Sequence, residues 1–171
     1  TGGATTDTSI VARGVITSGL ADIGEFVSVV GDERDYSAGD LLSVSITEPG
    51  KFEKSSRAYD PKLSGIVTVT AGLVAGGGED SRGNIIMALA GRLPVKVNGQ
   101  NGPTMPGDYL TSSDTPGYAM KATAAGPVIG VAMQAFSGTG VTDTGQVLAF
   151  MRPQWATPNT GLIMIKKGLL D

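Results

Sequence analysis

The stretch Gly107 to Met133, GDYLTSSDTPGYAMKATAAGPVIGVAM, is a second writing of Gly39 to Thr68, GDLLSVSITEPGKFEKSSRAYDPKLSGIVT. Gly107-Asp108 falls on Gly39-Asp40, Leu110 on Leu42, Pro116-Gly117 on Pro49-Gly50, Lys121 on Lys54 and Gly130 on Gly65, in order and with small gaps. The flanks repeat as well. Leu93 to Val97 (LPVKV) stands where Phe26 to Val30 (FVSVV) stood, and Gly145 to Met151 (GQVLAFM) where Asn84 to Leu89 (NIIMAL) stood. One β-rich unit is therefore written twice, over 26–91 and 93–151. Two copies of about sixty residues suit a fused pseudo-twofold domain better than a solenoid, which stacks three or more shorter repeats.

The repeated dipeptides carry turn chemistry. Proline presets the backbone angle of the second turn position and glycine takes the positive angle of the third, so Pro49-Gly50 and Pro116-Gly117 are expected to be type II turns. They would close hairpins over Leu41 to Lys54 and Tyr109 to Ala122, with Gly39-Asp40 and Gly107-Asp108 ending the loops before them. Lys54 and Lys121, just past the turns, are expected on a solvent face. Ser64 to Leu73 (SGIVTVTAGL) and Val128 to Phe136 read as the clearest strands of the two units. Phe26 to Val30 reads as another, after a connector over Ser18 to Glu25. Ala75 to Gly83 (AGGGEDSRG) reads as an exposed loop, and Ile85 to Val97 as a nearly continuous run kinked at Gly91 and Pro94. Nowhere do apolar residues recur at helical spacing over about eleven residues without Gly or Pro intruding. The predicted class is all-β, an internally duplicated barrel or sandwich, with a two-lobed clip also open.

Composition bounds the rest. The chain has 171 residues, 40% hydrophobic and 17% charged, enough for one core. Its 26 Gly and 9 Pro follow no strict period, which means many turns and short strands. With 5% aromatic residues the core must be built from Val, Ile, Leu, Ala and Met, with Phe26, Phe136 and Phe150 as larger fillers. The absence of Cys and His removes thiol nucleophiles, imidazole and thiolate metal sites and the usual general base. A net charge of −3 with scattered Lys and Arg gives no basic stripe for nucleic acid. No apolar run approaches the length of a membrane-spanning helix. Thr1 to Ser9 (TGGATTDTS) reads as the start of a processed or excised chain or, equally, as a linker cut from a longer protein.

Both ends fall outside the repeat, which divides the chain into 1–25, 26–151 and 152–171. Ser9 to Thr17 reads as a strand with Ile10, Ala12 and Ile16 on one face and further apolar residues on the other, covered on both sides or swapped into a neighbour. Arg152 to Thr160 (RPQWATPNT) has linker composition with Trp155 as an anchor, and the strand-like run Leu162, Ile163, Met164, Ile165 follows it. A spare strand either folds back over its own sheet edge or adds to the sheet of a neighbour. Repeated head to tail, strand addition gives an open fibre unless the rotation closes.

The candidate chemical sites are weak. Asp32, Glu33, Asp35 and Asp40 crowd together, but lack the spacing of a hand-type calcium loop and read as a solvated surface, as do Glu79-Asp80. Ala75 to Gly78 lacks the Gly-Lys-Ser/Thr of a phosphate cradle. A Ser or Thr nucleophile would need a lysine or carboxylate base, and no spacing supplies one. No catalytic residue, metal site or cofactor is assigned. Tyr109 and Tyr118 would face each other across the second hairpin as cross-strand packing or, in a minor reading, as part of a glycan platform.

Three segments carry a resemblance: Tyr59 to Val74 (YDPKLSGIVTVTAGLV), Ala90 to Ala122 (AGRLPVKVNGQNGPTMPGDYLTSSDTPGYAMKA), and PVIGVAM followed by VLAFM, ending at Met151. They resemble a β-domain near the C-termini of phage tail-appendage and tail-spike-like proteins and of some bacterial surface proteins. Its relatives include the intramolecular-chaperone autoproteolytic domains classed as peptidase G2. The resemblance implies a virion-borne or extracellular homotrimer beside repetitive β-structure, with self-cleavage in some members. No cleavage residue can be carried over to this chain. The reading is a non-enzymatic structural protein whose partners are copies of itself, assembled by strand exchange into a filament, fibre or appendage. An autoproteolytic precursor and a glycan-binding fibre tip are the alternatives. No nucleic acid and no membrane insertion are expected.

Overall fold

A computed structural model of the chain describes residues 22–76 and 84–158. Ten strands run β1 (Asp22–Ser28), β2 (Leu41–Val44), β3 (Phe52–Lys54), β4 (Leu63–Thr68), β5 (Ala71–Ala75), β6 (Asn84–Asn98), β7 (Tyr109–Ser112), β8 (Ala119–Lys121), β9 (Gly126–Ala132) and β10 (Thr144–Ala156). The other regular element among the described residues is a 3-10 turn, Glu33–Asp35, in which the Asp32 carboxylate accepts the Arg34 N–H.

The pairings close into two rings. In the first, β1 pairs with the front of β6, which pairs with β4, then β2, then β3, and a parallel bridge from Phe52 to Val29 returns the circuit to β1. In the second, the back of β6 pairs with β10, then β9, β7 and β8, and the parallel pair Val97–Ala119 returns the circuit to β6. The fold is thus all-β and internally duplicated, two small barrels sharing one long strand. Gly91, at φ +122, lies at the changeover, where both Asp22 of β1 and Met151 of β10 pair with it. β6 continues through Gly91 and Pro94 as one strand.

Register confirms the central repeat. Leu42 lies opposite Lys54 on one side and Gly65 on the other, and Leu110 lies opposite Lys121 and Gly130. The flanks match one residue away from the sequence alignment. Val27 pairs with Ile85 and Val95 with Val147, so LPVKV superposes on Glu25–Val29 and Gln146–Met151 on Asn84–Leu89. Side-chain alternation decides this, because a one-residue slip turns every side chain to the other face. Val27, Val29, Val95 and Val97 are all buried.

Other expectations need correction. β1 starts at Asp22, inside the expected connector, because it has two partners, β5 and β6. The strand expected over Ser64 to Leu73 is two, β4 and β5. Between them the buried Asp22 carboxylate accepts the hydroxyls of Thr68 (2.6 Å) and Thr70 (3.2 Å), and β5 runs off parallel to β1. Arg152–Ala156 is no linker: β10 continues through it, with Pro153 inside an irregularity between Met151 and Gln154, where a missing N–H is tolerated. The N-terminal strand with Ile10, Ala12 and Ile16, most of the Ala75 to Gly83 loop, and Leu162 to Ile165 lie outside the described residues.

The core is aliphatic. Val27, Leu42, Val67 and Met87 cluster in the first barrel. Their counterparts Val95, Leu110, Ala132 and Ala149 belong to a larger cluster that also takes in Leu41, Ile66 and Ala88 of the first barrel and so joins the two. Phe136 packs against that cluster and Phe26 is half-buried. Phe150, expected as a core filler, is 47% exposed, because Val147, Ala149 and Met151 take the inward positions of β10.

Candidate functional site

The repeated residues build the same device twice. In each Pro-Gly turn the C=O of the first residue accepts the N–H of the fourth, Glu48 from Lys51 at 3.2 Å and Thr115 from Tyr118 at 3.1 Å. Gly50 and Gly117 take φ of +80 and +79, as a type II turn requires. A serine braces each turn: the Ser45 hydroxyl accepts from the N–H groups of Thr47 and Glu48, and the Ser113 hydroxyl from that of Thr115. The Ser-x-Thr spacing before each Pro-Gly was the signal for this brace, and the sequence reading passed over it.

At the base of each hairpin the Gly-Asp turn presents a carboxylate. Asp40 accepts the Ser37 N–H at 2.9 Å and Asp108 the Met105 N–H at 2.8 Å. The repeated lysines, expected to face solvent, turn back to these carboxylates instead: Lys54 to Asp40 at 3.1 Å and Lys121 to Asp108 at 2.9 Å. Cross-strand geometry explains why. Lys54 lies opposite Leu42, so Asp40 is its diagonal neighbour on the same face.

The two copies then diverge. The side chain of Asp40 is 1% exposed and holds a second ammonium, that of Lys96, at 2.5 Å. Lys96 also donates to the Ser37 hydroxyl at 2.6 Å and lies 5.8 Å from the centre of the Tyr118 ring. Sequence reasoning missed Lys96, whose signal was a lone charge in the apolar run LPVKV. The tip of the second hairpin seals this site. The Gly117 C=O accepts the Leu41 N–H and its N–H donates to the Ser55 C=O, both at 2.8 Å, while a Cβ at Gly117 would lie 2.8 Å from the Asp40 carboxylate. Asp108, by contrast, is 24% exposed and borders a cleft of about 470 Å³ formed by Gly107, Asp108, Tyr109, Lys121, Ala122, Thr157 and Pro158. The tip of the first hairpin, Pro49-Gly50, is exposed, with nothing within 4 Å of a Cβ built on Gly50.

Loop 56–60 of the first barrel adds a second clasp. The Asp60 N–H donates to the Ser112 hydroxyl at 2.8 Å, and the Tyr59 hydroxyl accepts the N–H groups of Thr123 (2.8 Å) and Ala124 (3.0 Å). Tyr59 adopts φ +52 to reach them.

This arrangement joins parts of the chain to one another. Among the described residues no three Asp or Glu side chains converge as metal ligands. Asp32, Glu33 and Asp35 are exposed around the 3-10 turn, where the Arg34 guanidinium holds the Asp32 carboxyl below its usual range, and Asp40 faces the lysines. Tyr109 and Tyr118 do not face each other. The Tyr109 C=O accepts the Ala122 N–H, while Tyr118 sits in the turn and bonds Ser113. Trp155, opposite Pro127 on β10, is 71% exposed.

Two solved structures are similar in fold. One is the pre-mature bacteriophage phi29 gene product 12, at 14% identity and a TM-score of 0.64 over 86% of this chain. The other is the C-terminal fragment of phi29 gene product 12, at 14% identity and a TM-score of 0.56 over 77% of this chain and 100% of the fragment. The fold is shared with a bacteriophage protein. This chain spans 24% of the pre-mature protein's length. No family model matches the chain, and no curated protein matches it in sequence.

Proposed function

We propose that the chain is a structural β-domain of a phage-type appendage, virion-borne or extracellular, that works by associating with copies of itself. The observation that carries this reading is the fold likeness to phi29 gene product 12, which takes in the whole of its C-terminal fragment. The joint between the barrels supports it, since turns, lysines and carboxylates are spent on holding parts together. In this reading the terminal segments, Ile10, Ala12 and Ile16 at one end and Leu162, Ile163, Met164 and Ile165 at the other, add strands to neighbouring copies, with Trp155 as an anchor beside the C-terminal arm. The segments before β1 and after β10 would then serve assembly, and β1 to β10 the scaffold.

The test is mass in solution by light scattering, followed by negative-stain imaging. Multiples of the chain mass and regular particles are expected; a monomer at every concentration refutes self-association. Deleting Gly161 to Asp171 should leave folded, unassembled protein, and unchanged assembly would remove the arm from the account. The second reading, self-cleavage of a precursor, is favoured by the likeness to both a pre-mature protein and a C-terminal fragment of it. Expressing the chain with its upstream sequence and looking for spontaneous scission tests it.

A further inference from the structure

Among the described residues, the face of the first barrel that the second barrel covers recurs, only partly covered, on the second. Leu41, Ile66 and Ala88 stand side by side across β2, β4 and β6, each fully buried against the second barrel. The matching register across β7, β9 and β10 places Tyr109, Val131 and Phe150 side by side. Tyr109 and Val131 are half-buried and Phe150 is 47% exposed. Beside the covered face, the Leu41 N–H and Ser55 C=O grip the Gly117 tip. Beside the partly covered one, the matching residues Tyr109 and Ala122, the latter buried beside Val128 and Ala156, line the cleft with Asp108 and Lys121.

The element that would fill this cleft also recurs. The first hairpin carries the same Pro-Gly tip, exposed, and next to it Ile46 and Val44 are 78% and 44% exposed. Such uncovered apolar side chains beside an open tip mark an interaction surface. Within one chain the contact runs from the second hairpin to the first barrel, and the same contact cannot also run backward. One donor and one acceptor are therefore left over.

Resting on the self-association reading, we propose that the Pro49-Gly50 tip of one copy docks beside Asp108, against Tyr109, Val131 and Phe150, of the next copy, repeating between chains the joint made within each. The contact is heterologous, so it generates a ring if the rotation closes and a filament if it does not. Gly50 settles over the Asp108–Lys121 pair as Gly117 does over Asp40–Lys54. The apolar side chains of the first hairpin cover Phe150, and Asp108 loses its remaining exposure.

The experiment pairs a donor variant with an acceptor variant. Gly50→Glu sets a carboxylate against Asp108, and Phe150→Glu charges the acceptor face. Gly102→Glu is the control, since Gly102 also has φ +84 and open space around it but lies outside both surfaces. Wild type and Gly102→Glu are expected to have the same multiple of the chain mass, and each test variant to fall to a monomer with its circular dichroism retained. An equimolar mixture of the two should form dimers and nothing larger, because each supplies the half that the other lacks. Multimers that survive in Gly50→Glu, or a mixture that stays monomeric, overturn the docking while leaving self-association standing. A wild type that is monomeric throughout removes both. A chain that becomes multimeric only on deletion of 159–171 also overturns the proposal, by assigning the cleft to the chain's own C-terminal segment.

Discussion

Asp40 and Asp108 occupy equivalent places in the repeat, yet their removal should cost very different amounts. Asp40→Ala strands the Ser37 N–H and two ammonium groups, Lys54 and Lys96, whose side chains are 29% and 18% exposed. Breaking a buried charge pair from one side costs about 3–5 kcal/mol, and water reaching the lysines puts this case at the lower end, about 3 kcal/mol. Asp108→Ala removes a carboxylate that is 24% exposed from a single lysine and one N–H, which is worth about 1 kcal/mol. For a chain of this length each kcal/mol moves the melting temperature by about 2–4 °C, so falls of about 6–12 °C and about 2–4 °C are expected. Far-UV circular dichroism at one low protein concentration should record both, since association would otherwise add to the Asp108 figure. Adding Lys96→Met to Asp40→Ala should restore part of the loss by removing one stranded charge. Equal shifts for the two alanine variants would refute the claim that the Gly117 tip and Lys96 make the first site the stronger.

Three further outcomes follow from the geometry. A methyl group at Gly130 would press on the Phe150 C=O and the Met151 backbone, whereas at Gly65 it meets mainly the flexible end of Met87. Gly130→Ala should therefore cost about 2–3 kcal/mol in urea unfolding and Gly65→Ala about 1 kcal/mol, and the reverse order would count against the register. Burial raises the Tyr36 phenol above its ordinary value near 10, helped by the nearby carboxylates of Glu53 and Asp35. The folded state thus keeps this proton to higher pH than the unfolded chain does. Its contribution is complete below the ordinary tyrosine value and is lost as pH rises toward the folded one, a loss Tyr36→Phe should abolish in alkaline melting curves. Trp155→Ala should change the stability of the unassembled chain by no more than about 0.5 kcal/mol, since the indole is 71% exposed, and its emission should shift to shorter wavelength only if assembly buries it.

The sequence was most legible where a residue's backbone angle decides its place. Gly39, Gly50, Gly107 and Gly117 all take positive φ, and the hairpins they close are those expected. Legibility fell along the apolar flanks. FVSVV and LPVKV look interchangeable as letters, and only pairing with β6 and β10 shows which valines point inward. It failed for strand ends stabilised by distant groups, as where the Asp22 carboxylate bends the chain at Thr68 and Thr70.

The candidate site was half-legible for a related reason. Repetition marked Asp40, Lys54, Asp108 and Lys121 as a set, and a hairpin two residues longer or shorter would still have kept them in sequence order. What makes them partners is the diagonal across the ladder, fixed by Leu42 opposite Lys54 and Leu110 opposite Lys121. The contrast between the copies was illegible altogether. Each motif repeats its charges, and the difference comes from which hairpin tip arrives on it and from Lys96, supplied by a strand of the other barrel. Where an element is repeated, sequence reports what the copies share, and their division into a covered joint and an open one arises only when the two are packed together.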